Sequence, residues 1–151
     1  MGEGLGVDVF GEKPRSKKGE YFQSNWWGWR PIWAFTVLLC RDLLDRKFRM
    51  SYADDDGVEH VIEYNGCSVG DSNDGLLIPA DVAEKMGKRI MKVVRVPKDP
   101  PKAVAREFGG DDCDKLIEEV RNLFPDGYSL SREHLIEWAE FLLDCGGFRV
   151  C

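Results

Sequence analysis

No run of apolar residues in this chain approaches the roughly 20 needed to cross a bilayer. Histidine is scarce, with two residues, and the five cysteines are odd in number. They stand at 40, 67, 113, 145 and 151, and no pair has the two-residue spacing of a zinc ribbon. A disulfide scaffold is disfavoured for the same reasons, and the thiols suit a reducing cytoplasm. The P-loop, G-x-G-x-x-G and H-E-x-x-H patterns are all missing, as are internal repeats and low-complexity tracts. The opening Met1-Gly2-Glu3-Gly4-Leu5-Gly6 has no basic region leading into an apolar core, which predicts no signal peptide. Gly6 stands where a myristoylation signal needs Ser or Thr. No membrane association, metal or cofactor is therefore expected.

Positive charge is also in short supply. The net charge is −6, and it is unevenly spread. Residues 1–50 hold nine Lys/Arg against six Asp/Glu, whereas residues 51–151 hold twelve against twenty-one. That balance opposes general nucleic-acid binding, which needs many phosphate contacts. A local anion site near the N-terminal third stays open. With 151 residues, a single domain spanning 1–151 is expected, large enough to bury roughly 68–70% of its unfolded surface.

What the chain does have is tryptophan in one place. Four of its five tryptophans lie within Trp26–Trp33, interrupted by Gly28 and followed by Arg30-Pro31. Leu5, Val7 and Val9 alternate with small or polar residues and predict a short strand before this stretch. Pro31 suits a first helical position. Trp33, Val37, Cys40, Leu44 and Phe48 then step at helical spacing, predicting a largely buried helix from Pro31 to about Phe48. Asp54-Asp55-Asp56-Gly57 reads as a turn and Val58–Tyr64 as a weak strand. A second helix is expected from Pro79 to about residue 95, with Gly87 inside it, and a third from Asp111 or Asp112 to Phe124. The fourth has Ser131 as its cap, Leu130 and Leu135 as a staple, and Gly146 as its left-handed stop. Phe148–Cys151 reads as a closing strand. The fold class is α+β: a small sheet of two or three short strands, the terminal ones paired, packed with about four helices.

Three sets of residues carry the chemical possibilities. If residues 24–30 are extended, Trp27 and Trp29 face one way, and Trp26, Gly28 and Arg30 the other. Trp26 then offers a stacking surface, Gly28 close approach to the backbone, and Arg30 a bidentate contact to phosphate or carboxylate. The commoner fate of tryptophan is the core, with Arg30 stacked upon it. Lys17, in the basic loop 12–19, would add to an electrostatic rim for an anionic ligand. The cluster Cys67–Gly75 offers Asp71, Asn73 and Asp74 ahead of a helix, though a turn leading into that helix explains the same residues. Its spacing is not that of a calcium loop. Cys67 with His60 or His134 is the only candidate nucleophile pairing, and neither histidine lies in a local signature. The acids 54–56 are most simply a solvated turn.

The chain resembles an uncharacterised family of small bacterial and phage-encoded proteins. The resemblance is carried by Met1-Gly2, Val7-Asp8-Val9-Phe10-Gly11, Lys18-Gly19-Glu20-Tyr21-Phe22 and Trp27-Gly28-Trp29-Arg30-Pro31-Ile32-Trp33. Asn73-Asp74-Gly75-Leu76 and the ending around Gly146-Gly147-Phe148 are similar as well, while the match between is patchy. The Cys-rich, zinc-like insert of some relatives has no counterpart here. The resemblance implies a bacterial or viral origin and a cytoplasmic setting, in the bacterium or infected host cell, and no activity. Three functions follow as expectations. One is a non-catalytic protein holding an anionic, nucleotide-like ligand through Trp26, Gly28, Arg30, Lys17, Asn73 and Asp74, with a phage counter-defence role. The second is a protein–protein module or inhibitor, with a host protein meeting its acidic face. The third is a small hydrolase or transferase using Cys67 or Asp71 and Asp74.

Overall fold

Val7 and Val9 alternate with Asp8 and Phe10 along strand β1 (Gly6–Gly11), and both valines are fully buried. A computed structural model describes residues 6–71, 74–94, 118–120, 122 and 130–151, without the side chains of Trp26 and Trp27. Strand β2 (Tyr21–Asn25) runs antiparallel to β1 and sets Phe22 opposite Val9 and Ser24 opposite Val7, so the same face stays buried. The other edge of β1 pairs with the last strand of the chain, Phe148–Val150, through Val9↔Val150 and Gly11↔Phe148. Asp8 and Cys151 extend this ladder by exchanging two backbone hydrogen bonds of 3.2 and 2.7 Å. The expected pairing of the terminal strands is thus present.

After β2 come helix α1 (Trp26–Leu44), strand β3 (Lys47–Ala53), strand β4 (Glu59–Asn65), a 3-10 turn at Gly66–Asp71 and strand β5 (Leu77–Ile78). Helix α2 (Ala80–Val94), helix α3 (Arg132–Asp144) and strand β6 (Phe148–Val150) complete the described elements. Four strands form one antiparallel sheet in the order β2-β1-β6-β5, and β3 and β4 form a separate hairpin. The class is α+β, with six described strands in two sheets rather than two or three in one.

The buried face of the main sheet meets an aromatic layer. Trp138 of α3 stands edge-on to Trp29 of α1, with centroids 5.1 Å apart, and also packs on Phe22, Phe141 and Phe148. Helices α2 and α3 lie close because Gly87 has no side chain: a methyl group there would come within 3.0 Å of Leu142 Cβ and Leu143 N. The entropy cost of an interior glycine is offset by that close packing. Ser131 caps α3, its hydroxyl accepting the His134 N–H at 3.2 Å, and Leu130 and Leu135 are both buried. Gly146 follows with φ +64°, as expected for the left-handed stop.

Three element expectations need correction or restriction. Helix α1 begins at Trp26, five residues before Pro31, and ends at Leu44. Phe48 belongs instead to β3, a strand that the apparent helical spacing concealed. The third helix falls mostly outside the described residues: 118–120 and 122 are helical, and Val120 is buried as expected of its inner face. The proline-rich connector 96–102 also lies outside them. Among the described residues, no helix is long and apolar enough to cross a membrane.

Candidate functional site

Asn25 ends β2 in an extended conformation and starts α1 at once. Its carboxamide oxygen accepts the Gly28 N–H at 2.7 Å, satisfying one of the donors that a helix start leaves open. Residues 26–30 are therefore helical rather than extended, which overturns the expected alternation. On a helix, positions four apart share a face, whereas positions two apart are about 200° apart. Positions 26 and 30 remain on one face, and Gly28 leaves it. Gly28 is buried, and a methyl group there would come within 2.8 Å of Ser24 Oγ and 3.5 Å of His134 Cε1. The missing side chain at Gly28 makes room for β2 and α3. Arg30 is exposed. The side chains of Trp26 and Trp27 lie outside the description.

The buried tryptophans tie this helix to the Cys67–Gly75 cluster. Trp29 and Trp33, again four apart, stack with centroids 5.8 Å apart and planes 20° from parallel. The Trp29 indole N–H donates to the Gly70 carbonyl at 2.8 Å, and that of Trp33 donates to the Cys67 carbonyl at 2.9 Å. Gly70 lies flat on the Trp33 ring, since a methyl group there would stand 2.1 Å from Trp33 Cδ2. Both indoles are thus core residues with their polar edge spent on one turn. The end of that turn meets the charge of Arg30. Desolvation pushes the Asp71 carboxyl above the usual aspartate range, and the Arg30 guanidinium pulls it back down.

The other candidates are spread more widely. Asp74 is exposed, and the Gly75 N–H donates to the Val150 carbonyl at 2.9 Å, which places this segment beside β6. Asn73 lies outside the described residues. Lys17 is exposed on the 3-10 turn Lys17–Gly19, which packs on α3, where neighbouring Lys18 pairs with Glu140. About 13 Å of extended strand separates that turn from the start of α1. A groove of about 240 Å³ beside that turn lies between β2 and α3. Its charged lining is Lys18, Glu137 and Glu140, and Lys18 is already paired with Glu140.

Cys67 is set up against nucleophilic chemistry. Partial burial pushes its thiol up, and Asp45 adds to the effect, whereas an activated cysteine needs the opposite shift. Cys40 and Cys145 are more deeply buried and pushed up to about 12 and about 11. His60 pairs with Asp54 at 2.7 Å and stacks on Tyr52, while His134 stacks on Phe22. The acids at the hairpin tip build the turn: Asp54 Oδ1 accepts the N–H groups of Asp56 and Val58, each at 2.9 Å. Among the described residues, no cluster of three or more His, Cys, Asp or Glu is placed to hold a metal.

Residues that organise the site were legible in part. Asn25 is a preferred cap type directly before the tryptophans, and that signal was available. The indole bonds to Cys67 and Gly70 cross more than thirty residues of sequence and have no local signature. Compared with known proteins, the chain matches no family model, no curated protein and no solved structure.

Proposed function

We propose that the protein is a non-catalytic binder of an anionic, nucleotide-like small molecule, with its contact at the corner between α1 and the Gly66–Asp71 turn. The observation that supports this is the placing of exposed Arg30 one helical turn from position 26, beside a turn clamped by Trp29 and Trp33. A clamped turn presents its groups without further loss of freedom on binding. Arg30 would take a phosphate or carboxylate in a forked contact. Trp26 would stack on a base, and Asp71 and Asp74 would flank the ligand. Lys17 and Gly28 drop out of this version of the site. In a phage setting, such a protein would sequester a host signalling nucleotide.

Isothermal titration against a panel of nucleotides tests the proposal. Heat is expected for at least one member, and Arg30→Ala should weaken that binding by roughly 10–100-fold, the worth of a charge-assisted contact. No heat for any member would sink it. Retained binding in Arg30→Ala would move the site elsewhere. The enzymatic alternative on Cys67 or Asp71 and Asp74 makes a separate forecast, loss of turnover in Cys67→Ala or Asp74→Asn.

A further inference from the structure

The hairpin β3–β4 continues past the core that holds its base. At the base Phe48 is buried, the Tyr64 hydroxyl donates to the Leu77 carbonyl at 2.6 Å, and Asn65 Nδ2 donates to Asp45 Oδ1 at 2.9 Å. The facing pairs Phe48↔Tyr64, Met50↔Ile62 and Tyr52↔His60 stand on one side of the hairpin, because side chains alternate along each strand. Exposure grows outward along this side, from 8% at Phe48 to 47% at Tyr52. Val58 and Val61 are 54% and 62% exposed. Three of the six exposed large apolar residues in the described structure thus crowd onto the outer half of one hairpin. The opposite side of β4 carries Glu59 and Glu63 about Val61. From Met50 to Ile62 the hairpin carries four Asp/Glu and no Lys or Arg, so the field around its outer half is negative.

The edge is also preformed. A two-stranded hairpin is marginal by itself, but this one is stiffened at the tip. Asp54 N–H donates to the Val58 carbonyl at 3.0 Å, and His60 Nε2 lies 2.7 Å from Asp54 Oδ2. Among the described residues β4 pairs with β3 alone, which leaves its outer row of backbone groups available to a further strand.

We propose that the outer edge of β4, Glu59–Glu63, docks an extended segment of a partner protein in which Lys or Arg alternates with apolar residues. Strand addition supplies the backbone bonds, and the two faces of the sheet supply selectivity. An added strand sends alternate side chains to the side of His60 and Ile62, which is apolar, and to the side of Glu59 and Glu63, which is acidic. Glu63 already lies 3.5 Å from Arg49, so Glu59 and the tip acids Asp55 and Asp56 carry most of the attraction. The edge of β3, with Lys47 and Arg49, repels the same segment and so fixes which edge is used. A second copy fits β4 poorly. A two-fold antiparallel pairing centred on Val61 would set each Glu59 against the other copy's Glu63, an unfavourable like-charge contact.

The probe is a fluorescein-labelled eight-residue peptide of alternating Lys and Val, titrated with the full chain at about 0.15 M salt and read by anisotropy. Saturable binding is expected. The double variant Glu59→Lys/Glu63→Lys should lose at least about tenfold in affinity and gain affinity for a Glu–Val alternating peptide. Arg30→Ala should bind the Lys–Val peptide as the natural chain does, which separates this edge from the proposed anion site. If the charge reversal unfolds the hairpin by circular dichroism, Glu59→Gln/Glu63→Gln replaces it, with about threefold or greater loss expected. The proposal fails if the peptide does not saturate, if a peptide with the same residues in two blocks binds equally, or if the charge variants bind unchanged. It also fails if sedimentation shows a dimer that charge reversal abolishes, since that assigns the edge to a second copy.

Discussion

Gly70 shows how much one absent side chain decides. The Trp33 ring covers its Cα so closely that Gly70→Ala must push either the ring or the turn aside. Overpacking of this kind costs about 1–3 kcal/mol. Urea denaturation should show that loss, and an unchanged midpoint would mean that the turn yields freely. His134 makes a different residue-scale prediction. Burial lowers its pKa from 6.5, with Glu137 opposing in part. Above pH 6.5 both folded and unfolded forms are neutral and no penalty arises. As pH falls below 6.5 the unfolded chain takes up a proton first, so stability declines toward the lower folded pKa. Denaturation at pH 7.5 and pH 5 should therefore give a larger loss for the natural chain than for His134→Gln. Equal losses would show that the imidazole is solvated in the fold. Asp54 does not interfere: its pKa is lowered by the His60 contact and by two backbone N–H groups, so its window lies below 3.8.

At the scale of the element, the start of α1 is the decisive feature. It settles whether residues 26–30 alternate or spiral, and so which side chains can meet one ligand. The Asn25 carboxamide is the cap, so Asn25→Ala should cost about 1 kcal/mol and Asn25→Asp much less. Thermal unfolding of the three proteins checks this. If Asn25→Ala melts with the natural chain, packing of Trp29 and Trp33 alone sets the helix start. Pro31 drew attention to the wrong boundary. As the sixth helical residue it leaves the carbonyl four positions back without its helical partner, and tertiary burial of Trp29 and Ile32 overrides that loss. Phe48 misled in the same way. A step of four residues from Leu44 fits a helix, yet Asp45 has ψ +68° and the chain turns there into β3.

Across the whole molecule, one hydroxyl joins the first long helix to the last. Thr36 is fully buried; it donates to the Ile32 carbonyl at 2.7 Å and accepts the Trp138 indole N–H at 3.0 Å. Thr36→Val keeps the shape but strands a buried donor, and should cost about 1–3 kcal/mol. Thr36→Ser should cost less in chemical denaturation, and the opposite order would show that methyl packing outweighs the hydrogen bond.

Much of this protein was already determined by local sequence. Alternation set β1, a serine cap and a left-handed glycine bounded α3, and the mixture of strand and helix patterns set the α+β class, because each depends on neighbours within a few residues. The influence of Arg30's charge on Asp71, the burial of Gly28, and the separation of Lys17 from both were decided only by tertiary structure. So was the hairpin that carries its apolar side beyond the core. These follow from contacts between distant segments, chiefly two indole N–H groups reaching a turn more than thirty residues away. A side chain's type limits what it can bond, but which partner arrives is fixed by how helices and sheets pack, and that is a property of the whole chain.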